Sequence, residues 1–205
     1  MTAISTPQQA TSASSTPSGA IRHLAEGNVA FLRQGIDLIS RMGDTPYCEA
    51  PSVEAPGEDT QALFARGAVG AHFRHVIDHY VSFFEGLDGG TIDYDRRDRE
   101  REVERDRALC SARLQSCIER LQGLAAVSAD QPLSAVLGGA GHESGQALTG
   151  LSSASRELQF LASHTVHHYA IIAVIARLFG VEPGDEFGVA PSTLEYERGA
   201  GSCAR

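Results

Sequence analysis

Six of the eight histidines fall in two short segments, His72, His75 and His79 within HFRHVIDHY and His164, His167 and His168 within SHTVHHY. At 100° per residue, His72, His75 and His79 lie inside an arc of about 60° on one helix face. His164 and His168 form an i, i+4 pair about 40° apart, and His167 lies about 100° from His168 and is peripheral. Neutral imidazoles donate nitrogen to divalent ions, and an i, i+4 pair presents two of them to one ion, as helical two-histidine zinc motifs do. A third imidazole from a facing helix completes the set. A lone inward histidine is ordinarily a core group hydrogen-bonded to a neighbour. Six on two helices each need a partner, and a cation is the one they can share. His23 and His142 stand apart and read as surface or loop residues.

Four helices would position these groups. Ile21, Leu24, Phe31, Leu32, Ile36, Ile39 and Met42 recur at helical spacing and predict a first helix over 21–42. The proline-rich stretch 43–59 predicts a long connection, with a second helix from near Thr60 whose inner face is Leu63, Val69, Val76, Tyr80, Phe83, Phe84 and Leu87. A third helix has the seam Val103, Cys110, Leu114, Cys117, Leu121 and Leu124, at the spacing of shallow bundle packing. Two short apolar runs between about 128 and 151 predict a small hairpin. Ser152 or Ser153 then caps a fourth helix running to Phe179 and stopped by Gly180. The fold class is therefore all-α, a four-helix bundle with a long connection between helices one and two and a small hairpin before the last helix. The bundle spans 20–198, between a disordered N-terminal tail, 1–19, rich in Ser, Thr, Ala, Gln and Pro, and a flexible C-terminal tail, 199–205.

Composition narrows the chemistry. The net charge is -9, which disfavours nucleic acid and anionic membrane surfaces as partners. All 17 basic residues are Arg, so Schiff-base chemistry on a lysine is excluded. Cys48, Cys110, Cys117 and Cys203 form no CxxC pair and no dense framework, which suits a reducing, cytoplasmic setting. Cys110 and Cys117 continue an apolar seam and read as core packing. No apolar run approaches the ~20 residues that span a bilayer, so no membrane association is expected.

The segments HFRHVIDHY and SHTVHHY resemble motifs of the DinB/YfiT-like metalloenzyme superfamily, and DYDRRDRE and FGVAPSTLEYER resemble segments of a DinB-like subgroup. The likeness runs from about Ile21 to Arg198. It implies a bundle with one metal-binding histidine on the second helix, followed three residues later by Asp, and an HxxxH pair on the fourth. These positions match His75, Asp78, His164 and His168, and His72 and His79 are extra. The resemblance implies a metal held by His75, His164 and His168, with His72 the alternative ligand. Relatives that act through a metal-bound thiolate imply a transferase or thiol-dependent isomerase acting on a small-molecule thiol.

Three neutral imidazoles leave a divalent ion with open positions, and zinc, nickel, iron or manganese all accept nitrogen donors, zinc or nickel being favoured here. Such an ion lowers the pKa of a bound thiol or water, so a hydrolase follows as readily as a thiol transferase. His79, one turn from His75, reads as the catalytic acid–base group or as an orienting partner, and Asp78 as an acceptor behind the ligands. Arg96 and Arg97 could clamp a substrate carboxylate and Tyr94 could hydrogen-bond substrate, against the plainer reading of YDRRDRE as a solvated helix start. Glu157 lies about 10 Å along the axis from His164, too far for a ligand, and reads as a buried partner for an arginine. The alternative function is a non-catalytic metal-binding or sensing bundle, a homodimer through an exposed helix face, with His72 or His79 closing the coordination sphere.

Overall fold

The computed structural model describes residues 17–51, 67–137 and 148–202. Leu63, His142, Cys203 and most of the N-terminal tail lie outside the described residues. Among the described residues there are six α-helices, α1 Pro17–Arg41, α2 Asp44–Cys48, α3 Val69–Gly89, α4 Arg107–Gln122, α5 Ala154–Leu178 and α6 Pro191–Ser202, with strands β1 Thr91–Ile92, β2 Pro132–Leu137 and β3 Leu148–Ser153. The four long helices α1, α3, α4 and α5 enclose the core, α1 and α3 each packing against both α4 and α5. The two shorter helices and the sheet make this a predominantly helical fold rather than a strict four-helix bundle.

Apolar spacing explains each long helix. In α1, Ile21, Ala25, Val29, Leu32 and Ile39 are buried along one side, with Met42 just past its end, and in α5 Leu158, Leu161, Tyr169, Ile172, Ala173 and Ala176 do the same. Ser153 caps α5 by accepting a hydrogen bond from the Arg156 backbone N–H, and Gly180, at φ 74°, ends the helical turn. The α5 helix is long and apolar enough, by length and composition alone, to cross a bilayer, while one of its sides is buried in the helical core.

Several boundaries differ from the periodicity. The second long helix starts at Val69, not near Thr60, since Gly67 takes φ 127° and Ala68 is extended. The 43–59 connection contains α2, whose Tyr47 is fully buried and donates a hydrogen bond of 2.5 Å to the Val103 carbonyl. The third seam is broken into three: Val103 sits in a 3-10 turn, Arg101–Glu104, and Leu124 in another, Gly123–Ala126, on either side of α4. All six seam residues are buried nonetheless, although no single helix carries them. The hairpin forms as expected, β2 pairing antiparallel with β3 from Pro132↔Ser153 to Leu137↔Leu148. The unanticipated β1 adds a parallel pair to β2 and follows Gly90, whose φ of 79° turns the chain at the end of α3. Helix α6 continues to Ser202, past the tail boundary drawn after Arg198.

One buried polar junction ties three helices together. Tyr80 of α3 donates a 2.7 Å hydrogen bond to the Asn28 side-chain oxygen of α1 and lies 3.2 Å from the Thr165 hydroxyl of α5. The Asn28 amide in turn donates to the Leu24 and Leu158 carbonyls at 2.8 and 3.1 Å. Each group is essentially inaccessible to water and each finds partners, which is what allows them in a core.

Two glycines of α1 separate helix propensity from packing. Gly27 faces open space, so Gly27→Ala is expected to stabilise by about 1 kcal/mol through propensity alone. At Gly35 a Cβ would collide with the Tyr169 hydroxyl and meet a Phe73 ring carbon at 2.9 Å. Gly35→Ala should therefore destabilise by about 1–3 kcal/mol, overpacking outweighing propensity. Urea unfolding of the two variants tests this, and a stabilised Gly35→Ala would refute the packing described.

Candidate metal centre

His75 on α3 and His164 and His168 on α5 each offer a ring nitrogen, and these nitrogens all lie within 4.8 Å of one another. The ring centroids are 5.0 Å apart for His75–His164, 4.5 Å for His75–His168 and 4.6 Å for His164–His168. Zinc–nitrogen bonds at tetrahedral angles put ligand atoms about 3.4 Å apart, so modest ring rotations bring the three onto one ion. The cluster is half-buried, and His164 Nε2 is enclosed without a hydrogen-bond partner. A divalent cation fits that nitrogen and this donor set.

The electrostatics keep the rings neutral. Burial, followed by repulsion from neighbouring imidazoles and Arg97, lowers His75 to about 2. Burial is likewise the main cause that lowers His164 and His168 to about 3. His79 falls to about 4, burial outweighing its hydrogen bond to the His75 carbonyl. Neutral imidazoles have no proton to expel before binding an ion at neutral pH.

The other histidines take distinct places. His72 Nδ1 lies 3.0 Å from His168 Nδ1, so one ring donates to the other. If His168 donates from Nδ1, its Nε2 is left as the ligand atom and His72 acts as the acceptor that orients it, a frequent arrangement behind metal-bound imidazoles. His72 and His79 are both buried but do not join the mutually close set of three. His79 Nδ1 is 2.8 Å from the His75 carbonyl, to which it donates, and its ring lies 4.0 Å from that of His164. His167 is exposed, as its position on the wheel implied.

An aromatic wall holds the rings in plane. Tyr94 stacks on His79 at 5.2 Å and 17°, and Phe160 stacks on His164 at 5.5 Å and 25°. The Tyr94 hydroxyl donates at 2.7 Å to Glu157, a fully buried carboxylate that also accepts from Arg156 at 2.9 Å and from Ser152. The Tyr94 hydroxyl proton is thus taken by Glu157, and burial pushes the pKa of the phenol up. Glu157 is the buried arginine partner anticipated. Phe160 was missed, although it precedes His164 by four residues and shares the helix face of His164 and His168.

Asp78 does not reach a histidine. It accepts a 2.5 Å hydrogen bond from Arg74, which also binds Glu104 at 2.6 Å, and burial raises its pKa against the pull of Arg74. Arg97, by contrast, brings Nη1 to 2.8 Å from His75 Nδ1 and 3.3 Å from His79 Nδ1. Arg97 also lines a cavity of about 830 Å³ with Arg74, Asp78, Arg96, Arg113 and Arg120 among others, and none of the histidines is in that lining. Cys110 and Cys117 are buried with thiol pKa values pushed up to about 12, so neither is a nucleophile at neutral pH.

No protein-family model matches the chain. Over 107 residues the chain is 34% identical to FK506-binding protein 5 of Rhizopus delemar, a stretch that covers 51% of this chain and 27% of that protein. The chain thus spans about a quarter of the length of that relative. The three-histidine geometry, rather than a family assignment, carries the functional reading.

The lowered histidine pKa values predict a pH dependence with a definite sign. Between the ordinary 6.5 and about 4, the unfolded chain binds protons on these rings and the native state does not. Stability therefore rises with pH across that window and is lost as pH falls through it. The urea midpoint of metal-free protein should hold level above pH 6.5 and fall steadily below it, and a midpoint unchanged down to pH 5 would contradict the buried neutral cluster.

Proposed function

We propose that this chain is a divalent-metal-dependent enzyme of the DinB/YfiT-like kind, in which His75, His164 and His168 hold one ion and a small-molecule thiol, or water, attacks an electrophile beside it. The observation that carries this reading is the convergence of three neutral ring nitrogens from two facing helices within 4.8 Å. Bound there, the ion would lower the pKa of the thiol or water and so supply a nucleophile at neutral pH. Zinc, nickel, iron(II) and manganese suit an all-nitrogen donor set.

The surrounding residues fit an open site. A closed, non-catalytic centre needs a fourth ligand, and neither His72 nor His79 shares the mutual proximity of the three. His79 donates from Nδ1 to a carbonyl, which leaves its Nε2 lone pair to accept a proton or hydrogen bond from substrate. With its pKa held at about 4, His79 is a weak base at neutral pH and suits orientation better than proton abstraction. Arg96 is exposed on the same segment as Tyr94 and Arg97, and its guanidinium can bind a substrate carboxylate in a bidentate way.

Plasma mass spectrometry on untagged protein is expected to find one ion per chain in wild type and in His79→Ala, and little in His75→Ala or His168→Ala. Loaded protein should then consume an electrophilic thiol acceptor faster than metal-free protein in the presence of a small thiol. Equal rates would remove the catalytic reading, and absence of metal after reloading would remove the site.

A further inference from the structure

Arg97 belongs to both the histidine cluster and the adjacent cavity. Its Nη1 approaches His75 Nδ1 at 2.8 Å, its Nε is buried without a partner, and the same side chain lines the cavity of about 830 Å³. His79 Nδ1 donates to the His75 carbonyl and so has no lone pair to offer the guanidinium. His75 Nδ1 is therefore the acceptor of the Arg97 hydrogen. A neutral ring that accepts at Nδ1 carries its proton at Nε2, and both nitrogens are then occupied.

An ion and Arg97 cannot both use His75. If the ion binds Nδ1, it takes the lone pair that Arg97 occupies. Should it bind Nε2, the ring proton moves to Nδ1, and an N–H then points at the guanidinium N–H. In either case the contact ends, and repulsion between the ion and the guanidinium adds to the effect. The cavity gives the side chain somewhere to go, with the Asp98 carboxylate on its lining to receive a cation.

We infer that Arg97 is an internal competitor for the metal centre, capping His75 when no ion is bound and displaced into the adjacent cavity when one binds. The inference rests on the metal-binding reading above. It makes Arg97 a positioning residue, whose guanidinium and the ion exclude each other at His75.

Two measurements on the full chain test this. Zinc affinity, read by competition with a fluorescent chelator, should tighten on the order of tenfold or more in Arg97→Gln, which removes a charge-assisted hydrogen bond to a ligand. Arg120→Gln, with the same charge loss elsewhere on the cavity wall, should stay within about twofold, as expected for an exposed charge. In wild type, an arginine-directed dicarbonyl reagent mapped by peptide mass spectrometry should label Arg97 several-fold faster with zinc than without, and Arg96 equally in both; this readout decides even if Arg97→Gln does not fold. Zinc binding by wild type with unchanged or weaker affinity in Arg97→Gln, or zinc-independent labelling of Arg97, would overturn the competitor role alone. No zinc binding by wild type or variant would overturn the metal reading with it.

Discussion

The hydrogen bonds of Tyr80 to Asn28 and Thr165 set the rotation of α3 and α5, and the histidine cluster depends on that rotation. Apolar burial is non-directional, and a helix as apolar as α5 could turn about its axis at little cost in buried area. Hydrogen bonds among fully buried groups are directional, and each one left unmade costs about 1–3 kcal/mol. His79 immediately precedes Tyr80, and His164 immediately precedes Thr165. Fixing the hydroxyls therefore also fixes where the imidazoles emerge, one residue and about 100° away.

The same logic of paired groups runs outward through arginine. With no lysine in the chain, every side-chain cation other than a protonated histidine is a planar fork that can bind two partners at once. Arg74 uses this to join Asp78 on its own helix to Glu104 in the 3-10 turn, and Arg107 joins the Asp44 carboxylate to the Ile39 and Met42 carbonyls. These ties hold the 3-10 turn before α4 against α3, and the start of α4 against the end of α1 and against α2. Asp78 is better understood within this scaffold than as a partner of the ligands, because Arg74 already holds it.

What could be read from the sequence followed from periodicity. Three inward histidines on one helix and an i, i+4 pair on another are legible because 100° per residue places them without knowledge of the fold, and the seam of Cys110, Leu114, Cys117 and Leu121 is legible for the same reason. The start of α3 at Val69 was not, because Leu63 and Val69 keep helical spacing across a break at Gly67 and Ala68. Tyr94 and Arg97 show the deeper limit. They lie in a segment with no repeating pattern, and which nearby group each one meets is decided by tertiary packing. Packing sets Tyr94 against His79 and Glu157, and Arg97 against His75.

Unsatisfied buried atoms do not mark a functional site by themselves. Tyr169 has a buried hydroxyl without a partner, yet it packs against Gly35 and the rings of Phe73 and Phe187. His164 Nε2 is equally unpartnered, but two further ring nitrogens stand within 4.8 Å of the nitrogen that His164 offers. The difference lies in the neighbourhood. An isolated donor in an apolar contact is a local cost of packing, whereas several neutral lone-pair donors crowded together oppose one another until something positive enters. In this structure Arg97 supplies one positive charge at His75 and leaves His164 unserved. A single guanidinium cannot reach three rings on two helices, and a divalent ion at their centre can.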